Sequence, residues 1–304
     1  MKTPRQSLLP DEPVRAGLLR IAAALIGTAR ERIAHPSSDR GEDVHDVRTA
    51  IKRLRALLRL IRPVIGKTRF TREDGRLRNA ARQLAVAREH TVARRTLAAL
   101  AATAPRRRER QALAMALAGF TSDAARQAAT EKAMHAVARR LALIGRGLRG
   151  LRFTARGWPA LAPGLRKTCA QARQRMCSAC PAGDDEAFHR WRVRVKNLDY
   201  QLQLLEPIWP RHLGRMLARL RRLQEKLGDD HDLAVVERLL GQAPDTFGGA
   251  GQVECVVHYL RQRSRKLRHA SEPLGQAILR EKPRSFARKL ARHWKRWSRR
   301  DLTC

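Results

Sequence analysis

The sequence predicts an all-α protein whose two halves resemble one another. Aromatic residues make up only 4% of the 304 residues, whereas alanine, leucine, arginine and glutamine, which form helices readily, are frequent. Apolar residues recur at steps of three and four in several segments, and one such segment is repeated later in the chain. Because 43% of the residues are hydrophobic, the chain can bury a core.

Apolar periodicity and helix-breaking residues predict four helices in each half. The helices of the first half are expected at about 13–34, 42–65, 70–102 and 106–148. Those of the second half are expected at about 161–179, 185–208, 211–241 and 250–271. Residues 150–164 separate the halves, and residues 242–251 form another loop.

Two segments repeat one template at a constant offset of 144 residues, with residues 42–63 aligning on residues 186–207. The identical positions are Glu42 and Glu186, His45 and His189, Arg48 and Arg192, Lys52 and Lys196, Leu54 and Leu198, Leu58 and Leu202, Leu60 and Leu204, and Pro63 and Pro207. The first apolar stripe contains Val44, Val47, Ile51, Leu54, Leu58, Ile61 and Ile65. The second contains Phe188, Trp191, Val195, Leu198, Leu202, Leu205 and Trp209. The repeated prolines are expected to end the two helices.

Basic residues form a row beside the first apolar stripe. They share one helix face and are His45, Arg48, Lys52, Arg55, Arg59 and Arg62. The row is about 25 Å long, and like charges at this spacing destabilise an isolated helix, so folding alone does not favour it. A solvated face is the alternative, because long basic side chains can cover apolar surface.

The second copy carries a shorter basic row. It begins with His189, Arg192 and Lys196, beside Arg190 and Arg194, and then continues into Asp199, Gln203 and Glu206. We therefore expect the first half to supply more phosphate contacts than the second.

The net charge of +36 indicates a polyanionic partner. Arginine provides 53 of the 64 basic residues, and its planar guanidinium binds phosphate oxygens two at a time. A charge of this size destabilises a compact domain through self-repulsion unless a ligand neutralises it. Enrichment of arginine and alanine by a GC-rich genome is the alternative explanation.

No feature of the sequence indicates a membrane span, a complete zinc site or a cofactor. The longest apolar run near the N-terminus, residues 21–26, is too short for a span or a secretory signal, so we expect a cytoplasmic protein. The chain has five cysteines, and Cys177 and Cys180 form a CxxC motif without a second one to complete a zinc site. We therefore expect reduced thiols.

Three motifs resemble the conserved histidine α-helical domain (CHAD) family. They are VHDVR at residues 44–48 followed by KRLR at 52–55, FHRWR at 188–192 followed by Lys196, and LGDDHD at 227–232. The resemblance extends over about residues 11–272. It implies two four-helix bundles related by a pseudo-twofold repeat, with basic helices facing a central channel or cleft. The implied ligand is inorganic polyphosphate, and the implied location is the polyphosphate granules of bacteria.

The resemblance also implies the domain limits and the ligand-binding residues. We divide the chain into a tail (1–10), a first bundle (about 11–150), a second bundle (about 160–272) and a basic extension (273–304). The family's ligand-lining positions fall on His45, Arg48, Lys52, Arg53, Arg55, His189, Arg192 and Lys196, followed by Arg88 and His231. The basic rows add Arg59, Arg62 and Arg194.

This sequence departs from the family pattern at three positions. Residues 88–91 read REHT where the family has Arg-Asp-x-Asp, so one acid is lost. Asn197 and Asp199 stand where basic residues are expected, which puts the strength of the second-half site in doubt. Some family members carry a triphosphate tunnel domain, whose strands are not predicted here, so we expect a binding protein without enzymatic activity.

Two other functions remain open at this stage. Nucleic acid is an alternative partner because of the charge, although no recognition motif is present and aromatic residues for base stacking are few. A metal-dependent phosphohydrolase is the third possibility, with His45, Asp46 and residues 229–232 as ligands. Cationic surroundings repel a metal ion, and the alternative is that Asp229, Asp230 and Asp232 pair with nearby arginines.

The C-terminal segment at residues 285–300 is predicted to form a basic amphipathic helix. It could dock on a membrane or granule surface. The simpler interpretation is that its apolar residues pack on the bundle. These residues are Phe286, Leu290, Trp294 and Trp297.

Overall fold

The computed structural model describes residues 6–120 and 124–298. This part of the chain contains eleven α-helices and no strand, which confirms the predicted all-α fold. The helices are α1 (Val14–Ala34), α2 (Arg40–Ile65), α3 (Lys67–Gln83), α4 (Ala85–Thr103), α5 (Arg107–Ala118), α6 (Ala124–Arg149), α7 (Gly157–Ala182), α8 (Asp185–Leu205), α9 (Pro210–Gln242), α10 (Ala250–Leu279) and α11 (Pro283–Trp297). Short 3₁₀ turns follow α8 and α9. None of the described helices has the length and hydropathy needed to cross a membrane.

The first half contains more helices than the periodicity predicts. The expected helix at 70–102 is divided at Leu84, which is fully buried at the turn between α3 and α4. The helix α3 packs on α2 and α6, whereas α4 packs on α5 and α9, so the chain changes direction between two sets of neighbours. The pseudo-twofold relation and the bundle limits stay predictions.

The expected helix at 106–148 is also divided. The helix α5 ends at Gly119, where a Cβ atom would lie 2.5 Å from the carbonyl oxygen of Thr246. Phe120 then packs against Phe247, with 4.8 Å between the ring centroids. The close approach to the turn at residues 244–247 therefore requires glycine at this position.

The apolar stripes of α2 and α8 are buried as predicted, apart from the half-buried Trp209. Each helix begins at an aspartate whose side chain accepts a hydrogen bond from a backbone N–H three residues later, Asp39 in α2 and Asp184 in α8. The helix α2 extends to Ile65, as its predicted range does, and Pro63 lies in its last turn rather than at its end. The helix ends at Gly66, whose φ of 80° favours glycine.

The two halves join along α2. A Cβ atom on Gly164 of α7 would lie 1.7 Å from the carbonyl oxygen of Leu60, so the two helices cross with their backbones in near contact. The buried Gln201 of α8 donates a hydrogen bond of 3.0 Å to the carbonyl oxygen of Ala56. One apolar core extends across this junction, and a smaller one lies between α4, α5, α9 and α10.

The helix α11, the last in the described part of the chain, packs on α7. Phe286, Leu290 and Trp297 are buried, and Trp294 is half-buried. The simpler interpretation of this segment, a last helix packed on the bundle, is therefore confirmed for residues 283–297. Residues 299 and 300 lie outside the described part.

Candidate functional site

The two copies of the repeated motif meet where α2 packs against α8. Arg48 and Lys52 of α2, Arg192 and Lys196 of α8, and Arg88 of α4 lie close enough for their charges to affect one another. We call these five residues the basic cluster. The α9 helix completes the surroundings with His231 and Asp232. The first and second copies supply two cations each, so the expected excess of phosphate contacts from the first half stays a prediction.

The cations of the basic cluster lack close counterions. Within residues 6–120 and 124–298, no carboxylate oxygen lies within 4.0 Å of any of their charged nitrogens. Arg48 donates one hydrogen bond of 2.7 Å to the carbonyl oxygen of Ala81 in the last turn of α3. The Nε atoms of Arg48 and Arg192 are buried without a hydrogen-bond partner. Buried donors without acceptors are costly, so these two Nε atoms are donors that the described part of the protein leaves unused.

Burial and mutual repulsion lower the pKa values of the two lysines. Burial has the largest effect on Lys52, and the charges of Lys196, Arg192, Arg48 and Arg88 add to it, which lowers its pKa to about 6. Burial and Arg192 lower the pKa of Lys196 to about 8, although Asp232 opposes this shift. Burial and the neighbouring cations therefore disfavour the charged form of both lysines in the free protein.

Three histidines surround the basic cluster. The Nδ1 atoms of His189 and His231 lie 3.2 Å apart, so one neutral ring donates a hydrogen bond to the other. Desolvation and the neighbouring cations lower the pKa of His231 to about 3 and that of His45 to about 4. The histidines are therefore neutral near pH 7 in the free protein.

The helix α4 packs on α9 through the smaller apolar core, and an ion pair joins the two helices beside the site. Glu89 follows Arg88 in the chain, and its Oε2 atom lies 2.6 Å from Nη2 of Arg238 on α9. Sequence reasoning identified Arg88 but missed this pair. The acid that remains in the altered family motif is therefore the one that pairs with α9 beside the basic cluster.

The other half of the basic row on α2 has different partners. Arg55 binds Asp74 of α3 with two hydrogen bonds, of 2.8 and 3.2 Å, and Nη1 of Arg59 lies 3.4 Å from the same carboxylate. Arg62 lies over the ring of Phe70, 4.9 Å from its centroid. The basic row on α2 is thus divided into an unpaired part, at Arg48 and Lys52, and a paired part, at Arg55 and Arg59. Sequence reasoning missed Asp74, although Glu73 and Asp74 are the acids of a basic helix.

Two predicted residues lie beside the basic cluster rather than within it. The guanidinium of Arg53 lies 5.7 Å from the ring centroid of Tyr200 and donates a hydrogen bond to Gln6. The charges that affect Arg194 belong to Arg175, Arg55 and Asp74, so this side chain belongs to the paired part of the surface.

The aspartates of the LGDDHD motif have separate roles. Asp230 is buried and accepts hydrogen bonds from Arg268, at 2.9 Å, and from Ser264, so the predicted pairing holds for this residue. Asp232 faces the basic cluster without a salt bridge in the described part. The described residues include no group of three or more histidine, cysteine or acidic side chains arranged to hold a metal ion. The described cysteines are free thiols at positions 169, 177, 180 and 255.

Comparison with known proteins identifies the family. The CHAD domain model matches residues 18–241 of this chain. No curated protein matches. The crystal structure of the CHAD domain from the plant Ricinus communis is similar in fold, with a TM-score of 0.64 over 92% of this chain and 96% of that chain at 21% sequence identity. Since the family model covers more than half of the sequence, the chain belongs to the CHAD domain family.

Proposed function

We propose that this protein binds inorganic polyphosphate in the groove between α2 and α8 and does not transform it. One observation carries the proposal: two copies of a basic motif converge, and their cations have no close carboxylate among the described residues. A structural role would favour paired charges, as in Arg55 and Asp74. The basic cluster instead leaves its charge available to a ligand.

The chemistry of polyphosphate fits this groove. A polyphosphate carries about one negative charge per phosphate and no bases, so its recognition needs positioned cations rather than stacking surfaces or groove-fitting side chains. Each charge-assisted hydrogen bond contributes about 1.5 to 3 kcal/mol before the cost of ordering the chain. The four residues that stay charged near pH 7, joined by Lys52 once bound phosphate raises its pKa, therefore suffice for tight binding that weakens with salt.

We further propose that binding brings the protein to polyphosphate granules. The support is the family, together with a net charge of +36. Nucleic acid is the competing ligand, because phosphate backbones bind any strongly basic surface at low salt. Few aromatic residues are available to stack on bases, and Tyr200 at the edge of the cluster already packs against Arg53.

A competition titration near physiological salt tests the proposal. Labelled long-chain polyphosphate is bound to the protein and displaced by unlabelled polyphosphate, duplex DNA or RNA at equal phosphate concentration. We expect polyphosphate to compete best, and Arg48→Glu with Arg192→Glu to abolish this preference. Arg140→Glu with Arg222→Glu, on exposed positions of α6 and α9, gives the same change in net charge and serves as the control. Equal competition by nucleic acid and equal effects of both double variants would contradict the proposal.

A further inference from the structure

One cavity shares none of its lining residues with the basic cluster. It has a volume of about 620 Å³ and is formed where the N-terminal part of α9, the C-terminal end of α10 and the start of α11 meet over α7. A volume of 300 to 1,000 Å³ is roughly that of small-molecule sites. We call this space the α9–α11 cavity.

The inner wall of the α9–α11 cavity is apolar. Met216 of α9, Ile278 and Leu279 of α10 and Phe286 of α11 line it, and three of these four side chains are buried in the core. The buried Cys169 of α7 lies at the same wall, and burial raises the pKa of its thiol to about 12. The wall therefore carries no charge near pH 7 and favours an apolar group.

The rim of the α9–α11 cavity is cationic. Arg215 and Arg219 lie one turn apart on α9, and Arg280 faces them from the end of α10. Each is exposed, and within residues 6–120 and 124–298 none has a carboxylate within salt-bridge distance. The one acid of the cavity, Glu281, is already bound by Lys289 at 2.9 Å. Three guanidinium groups thus remain available to an anion.

Ring stacking fixes one side of this cavity. The ring of His212 stacks on Trp209 with 3.9 Å between centroids, and His293 stacks on the same indole at 4.1 Å. His212 lines the cavity, so α9 and α11 are held together at its edge. The edge of the cavity at His212 is therefore packed between α9 and α11.

We propose that the α9–α11 cavity binds a small amphipathic anion, with a carboxylate or phosphate monoester head on the arginine rim and an apolar body against the inner wall. Arginine guanidinium groups bind both heads with paired hydrogen bonds. An inorganic phosphate chain would leave the apolar wall unused, and an uncharged apolar molecule would leave the arginines unused. The site is separate from the groove proposed for polyphosphate, so either proposal can fail alone.

Calorimetric titration of the full chain with decyl phosphate and with decanoate, below their micelle-forming concentrations, tests this proposal. We expect one of the two, or both, to bind with one molecule per chain, and the stronger one identifies the preferred head. Decanol and inorganic phosphate, which each lack one half of this chemistry, are expected to bind at least roughly tenfold more weakly. Equal binding of decanol or of inorganic phosphate would overturn the proposal.

Three variants locate the binding. Arg219→Glu reverses one charge of the rim, and Ala277→Trp fills the cavity from an exposed position that lines it. Each is expected to weaken binding by roughly tenfold or more. Arg222→Glu makes the same charge change on an exposed position of α9 outside the cavity and is expected to leave the affinity within about twofold.

Circular dichroism and thermal unfolding check that each variant is folded. Equal weakening by Arg222→Glu and Arg219→Glu, or several molecules bound per chain, would show attraction by net charge alone and overturn the proposal. Unchanged affinity in both cavity variants would overturn it as well. Since Arg219→Glu alters an exposed side chain, the test does not depend on Ala277→Trp being folded.

Discussion

The two ends of the basic row on α2 differ in what the neighbouring helices bring to them. Toward the N-terminus, Arg48 and Lys52 face further cations from α8 and α4. Toward the C-terminus, Arg55 and Arg59 face the carboxylate of Asp74 from α3. One pattern of residues on one helix face thus serves both ligand binding, as we propose, and stability. The partner helix, rather than the row itself, decides between these roles.

Removing positive charge at the two ends should give the largest difference in polyphosphate affinity. Two charge-assisted contacts of about 1.5 to 3 kcal/mol each predict that Arg48→Glu with Arg192→Glu weakens polyphosphate binding by roughly a thousandfold. Arg55→Gln with Arg59→Gln removes two charges at the paired end and is expected to weaken it by no more than about tenfold. Fluorescence anisotropy with labelled polyphosphate measures both.

A milder pair of substitutions checks the same comparison without charge reversal. Lys52→Gln with Lys196→Gln neutralises both lysines of the basic cluster, and it should weaken binding more than the Arg55→Gln, Arg59→Gln pair does. If the variants at the paired end lose more affinity, the assignment of roles to the two ends is wrong.

The next largest effect concerns the stability of the paired end. Leu60 lies in this part of α2, and Gly164→Ala would place a methyl group against its backbone carbonyl. Because backbone cannot move aside as a flexible side chain can, we expect a loss of about 3 kcal/mol or more in the free energy of unfolding. Urea denaturation measures it, with Gly228→Ala, where a Cβ atom meets nothing within 4 Å, as the control. Equal stability of the two variants would contradict the close crossing of α2 and α7.

Converting the paired end into an unpaired one sharpens the comparison. Asp74→Asn removes the carboxylate that binds Arg55 and Arg59, and partial solvent exposure of the pair limits the expected loss of stability to about 2 kcal/mol. The two released guanidinium groups should raise polyphosphate affinity by about threefold at low salt. Chemical denaturation and a salt series of binding titrations measure these effects. An unchanged affinity would show that the ligand does not extend to this end.

The last expected effect is on pH dependence at the unpaired end. Since the pKa of Lys52 is about 6 and that of Lys196 about 8 in the free protein, bound polyphosphate should raise both. Binding therefore takes up protons, and the affinity should fall by about tenfold as the pH rises from 6 to 8. The groups that face these lysines are His45 and Arg48 on α2, Arg88 on α4, His189 and Arg192 on α8, and His231 and Asp232 on α9.

The free protein should show the opposite trend in stability. Above the folded pKa of Lys52, about 6, the unfolded chain binds more protons than the folded one, up to the ordinary lysine pKa of 10.5. The free energy of unfolding therefore gains from this residue as the pH rises through that interval. Titration calorimetry of polyphosphate binding, in buffers of different ionisation enthalpy, counts the protons taken up when the ligand binds. Lys52→Arg is the matched control, because arginine stays charged. Proton release on binding would contradict the prediction.

The sequence predicts what depends on local periodicity and misses what depends on neighbours. The spacing of Val44 to Ile65 and of Phe188 to Leu205 predicts two buried faces correctly, because the packing of a helix follows its own pattern. The break at Leu84 is not predicted, because an apolar residue at helical spacing carries no local stop signal. For the same reason, nothing in α2 alone shows that Asp74 neutralises one half of its basic row.

The most direct measurement of the central claim is a crystal structure with a short polyphosphate. We expect the phosphate chain to lie between α2 and α8, with oxygens bound to the guanidinium groups of Arg48 and Arg192, whose Nε atoms are buried without partners in the free protein. A chain bound instead along Arg55 and Arg59, with the groove empty, would contradict this account.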